Sequence, residues 1–529
     1  MPGHFFAIRG DLNQIHCDAL LIPTDAVFTF EPAWNATVDL LGLPGTWARR
    51  RVVKAEWKRG TAGPRVWLGN VGTAGDVDLD HYTAVIEEFI DAALRDLERD
   101  PSSSEIGEHL RVPRLAVPLV GSGKGGAAFH KGGLVDQVVR TLATATAAHE
   151  VDLVLVLWRD RAYAAVQHAR RRLELEPRFR SRADRDRLDP VIDRLAEAAR
   201  LQHLVLFLGA GVSAGAGLPT WSELIGETAA AVLGEGTSDD RLNALVDRDL
   251  RDAASILENM ATASGPGRTV RSIIADLLGK YERYSLAHGL LASLPACEAV
   301  TTNYDELFER AARAGERPLA VLPDAPIDAD GRWLLKLHGT LSQPERMVLT
   351  RADYLNMPRQ YGALMGLVQA MLLMRHMLFV GYSLTDEDFH ELIYEVRQAR
   401  NPAAGAPRKV GTVLTLFKDP LADELWQGEL EVVPMLDELK PSARRQLSRT
   451  RSDAGRTLEV FLDILAYRSA TNAAFLLDDT YEELLDDRER QLRQLLLALA
   501  NSPAIAAEAA GPVKELLTNM GWSQRVSRP

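Results

Sequence analysis

Val205-Leu206-Phe207-Leu208-Gly209-Ala210-Gly211-Val212-Ser213-Ala214-Gly215-Ala216-Gly217-Leu218-Pro219-Thr220-Trp221 runs an apolar strand straight into a glycine-rich loop. Bare peptide N–H groups in such a loop can donate to the oxygens of a diphosphate that side chains would hold off, and the positive end of a following helix would reinforce them. Alone the signal is weak. Gly209-x-Gly211-x-x-Ala214 also fits the general dinucleotide fingerprint, and glycine-rich strand-to-helix turns serve packing in many folds.

Two further segments narrow the reading: Thr301-Thr302-Asn303-Tyr304-Asp305 and Leu335-Lys336-Leu337-His338-Gly339, followed by Gly381-Tyr382-Ser383-Leu384. The order GAGxS, GLPxW, TxNxD, HG, GxS over residues 200 to about 435 resembles the sirtuin catalytic domain, in the branch of sirtuin-like NAD-consuming effectors of bacterial anti-phage defence. The resemblance implies a Rossmann-like parallel-sheet domain that takes NAD as substrate. It implies contacts to NAD from Gly209, Ala210, Gly211, Ser213, Pro219, Trp221, Thr302, Asp305, Gly381 and Ser383, with Asn303 and His338 catalytic.

The chain also departs from the deacylases of that family. Thr220, Trp221 and Ser222 stand where Asp-Phe-Arg is usual, and Thr302 stands where Gln is usual. Deacylases carry a four-cysteine zinc module between the catalytic His and the late GxS loop, yet no cysteine lies between Gly339 and Gly381. A zinc site needs closely spaced thiolates or imidazoles, so none can be built there. No metal is assigned, and NAD hydrolysis is favoured over protein deacylation.

Composition sets wider bounds. At 529 residues the chain exceeds one core, and 46% hydrophobic with 25% charged residues is ordinary globular content. A formal net charge of −12 argues against a nucleic-acid-binding surface spread over the protein. Cys17 and Cys297, the two cysteines, read as buried thiols of a reducing compartment. Met1-Pro2-Gly3-His4 lacks the basic and apolar regions of a signal peptide, which gives the expectation of a cytoplasmic protein. The most apolar window, Leu364 to Val380, is interrupted by Gln369, Arg375 and His376, too polar to span a bilayer; it reads as a buried helix leading into a strand.

Residues 1–175 alternate strand-like runs (His4 to Ile8, Ala19 to Ile22, Val66 to Leu68, Leu115 to Val120, Leu153 to Trp158) with helical ones (Tyr82 to Leu97, Leu134 to His149), an α/β layer pattern. Arg9-Gly10-Asp11-Leu12, Cys17 to Pro23 and the loop Gly121-Ser122-Gly123-Lys124-Gly125-Gly126 together resemble a macro domain. That likeness implies an ADP-ribose-type ligand, with Asp11 on adenine and Gly121, Ser122, Gly123, Gly125 and Gly126 around the diphosphate. Pro23-Thr24-Asp25-Ala26 replaces the usual Asn-Ala-Ala-Asn, so binding is easier to defend than hydrolysis. A P-loop is excluded, because Pro118 stands at its first glycine and Gly125 at its Ser or Thr. Pro177 to Arg194 is dense in Arg and Asp and reads as a solvated linker or exposed helix that buries no face, within a 176–199 connector. From 436 to 529 the chain turns helical, with apolar residues at three- and four-residue spacing in Thr457 to Tyr467 and Tyr481 to Leu499; this region reads as a packing or oligomerisation appendage.

Each site residue has a plainer alternative. Asn303 is either a turn residue or a group just past a strand's carboxyl end, where ligands bind in open α/β sheets. Asp305 can bond ribose hydroxyls or cap the helix that follows. Of twelve histidines, His338 alone sits at a predicted strand end beside a glycine, where imidazole can take a proton near neutral pH. Trp221 covers a nicotinamide pocket or packs a loop. Thr385-Asp386-Glu387-Asp388 reads as a helix capping box rather than a metal cluster. The overall expectation is a cytoplasmic NAD glycohydrolase of a defence system, homo-oligomeric, working with a partner protein and with no membrane or nucleic-acid binding. A NAD-dependent deacylase or ADP-ribosyltransferase and a non-catalytic NAD or ADP-ribose sensor are the alternatives.

Overall fold

The computed structural model describes residues 3–522 apart from 48, 73–77, 101–111, 124–125, 235–243, 246, 264–268, 328–330, 385–386, 400–408, 427 and 437–446. The chain divides into two compact units: Met1–Ile192 with Ala314–Glu316 and Val460–Pro529, and Asp193–Arg313 with Arg317–Glu459. Each is built on one seven-stranded sheet.

In the first unit the strands are β1 (Phe5–Arg9), β2 (Ala19–Thr24), β3 (Leu41–Gly42), β4 (Val52–Trp57), β5 (Arg65–Asn70), β6 (Arg114–Pro118) and β7 (Asp152–Leu157). Their order is β1-β7-β6-β2-β5-β4-β3. β1, β7, β6, β2 and β5 pair in parallel, while β3 and β4 form an antiparallel edge absent from the sequence reading. The parallel strands β1, β6 and β7 are buried at every position, which is why they read as unbroken apolar runs.

The helices Leu79–Arg99 and Lys131–Ala148 contribute Val85, Phe89, Leu134 and Val138 to this core. So do Phe475, Leu476, Leu477, Tyr481, Leu484 and Leu485 from the far end of the chain. Burying each such side chain stabilises by roughly 1.5–3 kcal/mol. The helical residues after 459 thus belong to the first sheet's core and form no separate body. A buried ion cluster sits in the same unit: Arg170 donates to both carboxylate oxygens of Asp463 (3.1 and 2.9 Å) and to the Phe5 carbonyl (2.9 Å). His4 Nε2 lies 2.8 Å from Asp463. Arg170 beside it helps hold the Asp463 carboxyl below its usual range despite complete burial.

The helix Arg182–Arg200 corrects the expectation of a face-less linker. Leu188, Val191, Ile192, Leu195, Ala196 and Ala199 are all buried, at the three- and four-residue spacing of one helical face. A window that stops at Arg194 shows mostly Arg and Asp and misses half of that stripe. The helix Gly362–Met374 differs in the opposite sense, since Leu373 and Met374 are exposed and only Val368, Met371 and Leu372 are buried. No helix among the described residues is long and apolar enough to cross a membrane.

The second unit contains β8 (Leu204–Leu208), β9 (Glu298–Thr301), β10 (Ala320–Leu322), β11 (Trp333–Lys336), β12 (His376–Val380), β13 (Gly411–Phe417) and β14 (Leu430–Leu436). All pair in parallel in the order β10-β11-β9-β8-β12-β13-β14. The register sets Leu208 opposite Thr301 and Val380, and Thr301 opposite Lys336. The loops after β8, β9, β11 and β12 therefore leave one edge of the sheet together. The chain departs from β8 to one side and returns as β12 on the other, which makes a switch point where open α/β sheets form a crevice.

Candidate active site

That crevice is a cleft of about 600 Å³. It is lined by Ala210, Gly211, Ser213, Pro219, Trp221, Thr302, Asn303, Asp305, His338, Gly381 and Ser383, so every residue singled out for this unit except Gly209 faces it. Gly209 lies behind, where its carbonyl accepts from Asn303 Nδ2 at 3.1 Å.

The glycines serve backbone contact before any ligand. A Cβ on Gly209 would lie 2.4 Å from the Gly381 oxygen, and one on Gly381, at φ +66°, would lie 2.4 Å from the Val212 nitrogen. Gly209 N–H donates to Val380 and Gly211 N–H to the Gly381 carbonyl, both at 2.9 Å. Val212 and Ser213 donate within the loop, to Gly209 and Ala210. The helix that follows, Gly211–Ala214, is one turn long and offers little of the positive end that the sequence suggested.

Asn303 is held on three sides. Its N–H donates to Thr301 Oγ1 at 3.0 Å, while that hydroxyl donates to the Leu208 carbonyl at 2.9 Å. Its Nδ2 donates to Gly209 and, at 3.3 Å, to Ser213 Oγ. Its Oδ1 is buried with no hydrogen-bond partner, an acceptor that a buried site normally satisfies. Ser213 Oγ donates to Asp305 Oδ2 at 2.8 Å, and Asp305 Oδ1 accepts from Leu307 N–H at 3.1 Å, so this aspartate caps the helix Leu307–Ala314. Residues 298–431 match the SIR2-like domain family.

Behind these loops stands a histidine that no sequence motif marks. His288 Nδ1 accepts from Ser285 N–H at 3.2 Å, which leaves Nε2 to carry the proton, 3.4 Å from Ser213 Oγ. Ser285 Oγ, 2.8 Å from the same Nδ1, also donates to the Val212 carbonyl at 3.1 Å. Burial pushes His288 down to about 4, with Asp305 opposing. His338 is only 5% exposed; its ring meets Tyr354 edge-to-face at 5.4 Å, and Gly339 makes the turn after it at φ +88°. Trp221 opens a helix capped reciprocally by Thr220 and Glu223, with its ring 5.9 Å from Tyr304.

Arg248, Asp249, Arg251 and Tyr354 also line the cleft. The Arg251 guanidinium beside Asp249 holds that carboxyl well below the usual range. No spacing in the sequence marks these residues. Thr385 and Asp386 of the suspected capping box lie outside the described residues, and nothing is described of the side chains of Glu387 and Asp388. Among the described residues no group of three or more His, Cys, Asp or Glu is placed to hold a metal.

Over 214 residues the chain is 28% identical to the NAD(+) hydrolase ThsA of Enterococcus faecium, covering 39% of this chain and 42% of that relative. It is 26% identical over 222 residues to the defense-associated sirtuin 2 of Bacillus subtilis, covering 41% and 21%. The chain thus spans less than half the length of these curated relatives. Among solved structures, the Oceanobacillus iheyensis macrodomain with ADP aligns with 32% of this chain and 90% of its own, at 13% identity and a TM-score of 0.24.

The first unit has its own cleft, about 670 Å³, at the carboxyl ends of its parallel strands. Asp11, Gly121, Ser122 and Gly123 line it, together with Trp158, Arg159, Lys131 and Tyr481. Asp11 caps the turn after β1, accepting from Asn13 N–H at 2.9 Å and from Gln14 Nε2 at 3.2 Å. A Cβ on Gly123 would lie 2.2 Å from Glu31 Oε1, so this glycine admits a carboxylate against the loop. Gly126 has φ +104°, and Gly125 lies outside the described residues.

Proposed function

We propose that the second unit hydrolyses NAD, releasing nicotinamide and ADP-ribose. The observation that carries this reading is Asn303 Oδ1, a buried acceptor without a partner among residues that line one cleft with His338. Breaking the N-glycosidic bond leaves oxocarbenium-like charge on the ribose, and water must arrive as nicotinamide departs. Asn303 holds a ribose hydroxyl or the attacking water through Oδ1, and His338 takes the proton released as water adds. Arg248 supplies positive charge on the cleft wall for the diphosphate, beside the Arg251–Asp249 ion pair. The relatives' names, NAD(+) hydrolase and defense-associated sirtuin, support the same chemistry and a role in defence.

Turnover of NAD by the full chain, with products identified by chromatography, tests it. Asn303→Ala and His338→Ala are each expected to lower the rate by about a hundredfold or more without changing the melting temperature. Wild-type turnover in either variant refutes the assignment. Elemental analysis and an acyl-peptide assay separate hydrolysis from deacylation; stoichiometric zinc with peptide turnover would favour the latter.

For the first unit we propose an ADP-ribose-type ligand in the cleft beside Asp11 and the Gly121 to Gly126 loop, regulating the enzyme if it binds active and inactive states unequally. Trp158, 55% exposed on the cleft wall, offers a face on which a base can stack. Cytoplasmic location, self-association and a partner protein complete this reading as a defence effector.

A further inference from the structure

We propose that Lys336 is a positioning residue for the active site, holding the backbone that follows Asn303. Lys336 ends β11, two residues before His338, and is 4% exposed. Its ammonium donates to the Tyr304 carbonyl at 3.3 Å, the Asp305 carbonyl at 2.6 Å and Glu309 Oε1 at 2.9 Å. Three donors meet three acceptors, so the ammonium is saturated. Tyr304 and Asp305 are the two residues after Asn303, in the turn between β9 and the helix Leu307–Ala314, and Glu309 lies on that helix. One charge therefore ties together the strand leading to His338, the turn that carries Asn303 and the helix that Asp305 caps.

A buried ion pair is a poor device for stability alone, because apolar residues of similar size often do as well. An apolar residue cannot hold two main-chain carbonyls. Those carbonyls fix the Tyr304–Asp305 and Asp305–Glu306 peptide planes, in the turn that follows Asn303 and carries its unpartnered Oδ1. Lys336 is absent from the lining of the cleft, so its influence runs through Asn303.

The inference rests on the proposed NAD hydrolysis, and its test uses the full chain with kcat and KM for NAD measured beside the melting temperature. Lys336→Met paired with Glu309→Met removes both charges and leaves no lone buried ion, so the fold is expected to survive. Its kcat is expected to fall about a hundredfold, the effect of misplacing a reacting group by an ångström, while KM moves less than about threefold. Lys336→Gln paired with Glu309→Gln keeps an N–H donor near the carbonyls and is expected to lose only about tenfold in kcat. Glu309→Gln alone leaves both carbonyl bonds in place and is expected to keep kcat while lowering the melting temperature. Wild-type kcat in either folded double variant overturns the positioning role, and failure of both to fold overturns it in favour of a folding role. A wild type without turnover overturns the proposed function and this inference with it.

Discussion

Acidification should weaken the second unit through His288, and the size follows from its surroundings. The ring is 1% exposed, takes an N–H bond on Nδ1, and is pushed by burial from an ordinary 6.5 down to about 4. Above pH 6.5 the imidazole is neutral in folded and unfolded chains alike, and its contribution is fully present. Below 6.5 the unfolded chain binds a proton that the folded site refuses, so stability falls as pH drops towards 4. Each unit of depression corresponds to about 1.4 kcal/mol, which gives about 2 kcal/mol lost between pH 7.5 and 5 and about 3 kcal/mol over the whole span. Urea unfolding, followed by hydrogen exchange in peptides from β8 and β9, measures it at pH 7.5 and 5 in the wild type and in His288→Gln. The variant has no titrating ring and should show a shallower pH dependence by about 2 kcal/mol. Equal pH dependence in the two proteins would refute this account of His288.

Three further outcomes are expected. Asp463→Ala strands the buried Arg170 guanidinium and should destabilise the first unit by about 3–5 kcal/mol in denaturant titrations. A loss under about 1 kcal/mol would mean that the charge finds another partner. Gly381→Ala drives a methyl group into the Val212 nitrogen at a positive φ, and should lower both melting temperature and NAD turnover; unchanged values would show that the two loops can part freely. Calorimetry with ADP-ribose should show weaker binding to Asp11→Ala than to wild type at a site unaffected by Asn303→Ala.

Much of the second sheet was legible because parallel strands buried on both faces are continuous apolar runs, as Leu204–Leu208 and His376–Val380 are. Asn303 and His338 read from the TxNxD and HG segments and from their places after predicted strands, and both line the cleft. What stayed hidden depends on neighbours that are distant in sequence. Thr301, Ser285 and His288 have no unusual spacing; their roles arise only where β8, β9 and the helix Leu286–Ser293 bring hydroxyls and imidazole within hydrogen-bond reach. The glycines were read as a phosphate cradle, although the approach of two backbone loops demands them first. Arg182–Arg200 was misread because charge outnumbers the apolar stripe within the window considered. The C-terminal helices read as an appendage because their partners lie about 300 residues earlier, beyond any local periodicity.

The first unit is assembled largely from Met1–Ile192 and Val460–Pro529, with most of the second unit's sequence placed between them. During synthesis the stretch 193–459 is complete, and free to fold, before Phe475, Tyr481 and Leu484 exist to close the first unit's core. A ribosome-bound intermediate would therefore carry the site proposed to cleave NAD ahead of the finished cleft of the first unit. The Arg170–Asp463 pair forms across 293 residues of intervening chain, so closing the first unit is among the late, high-contact-order events of folding. The interval between the two units is set by the time needed to translate the stretch from Val460 to Leu485 that the first unit's core requires.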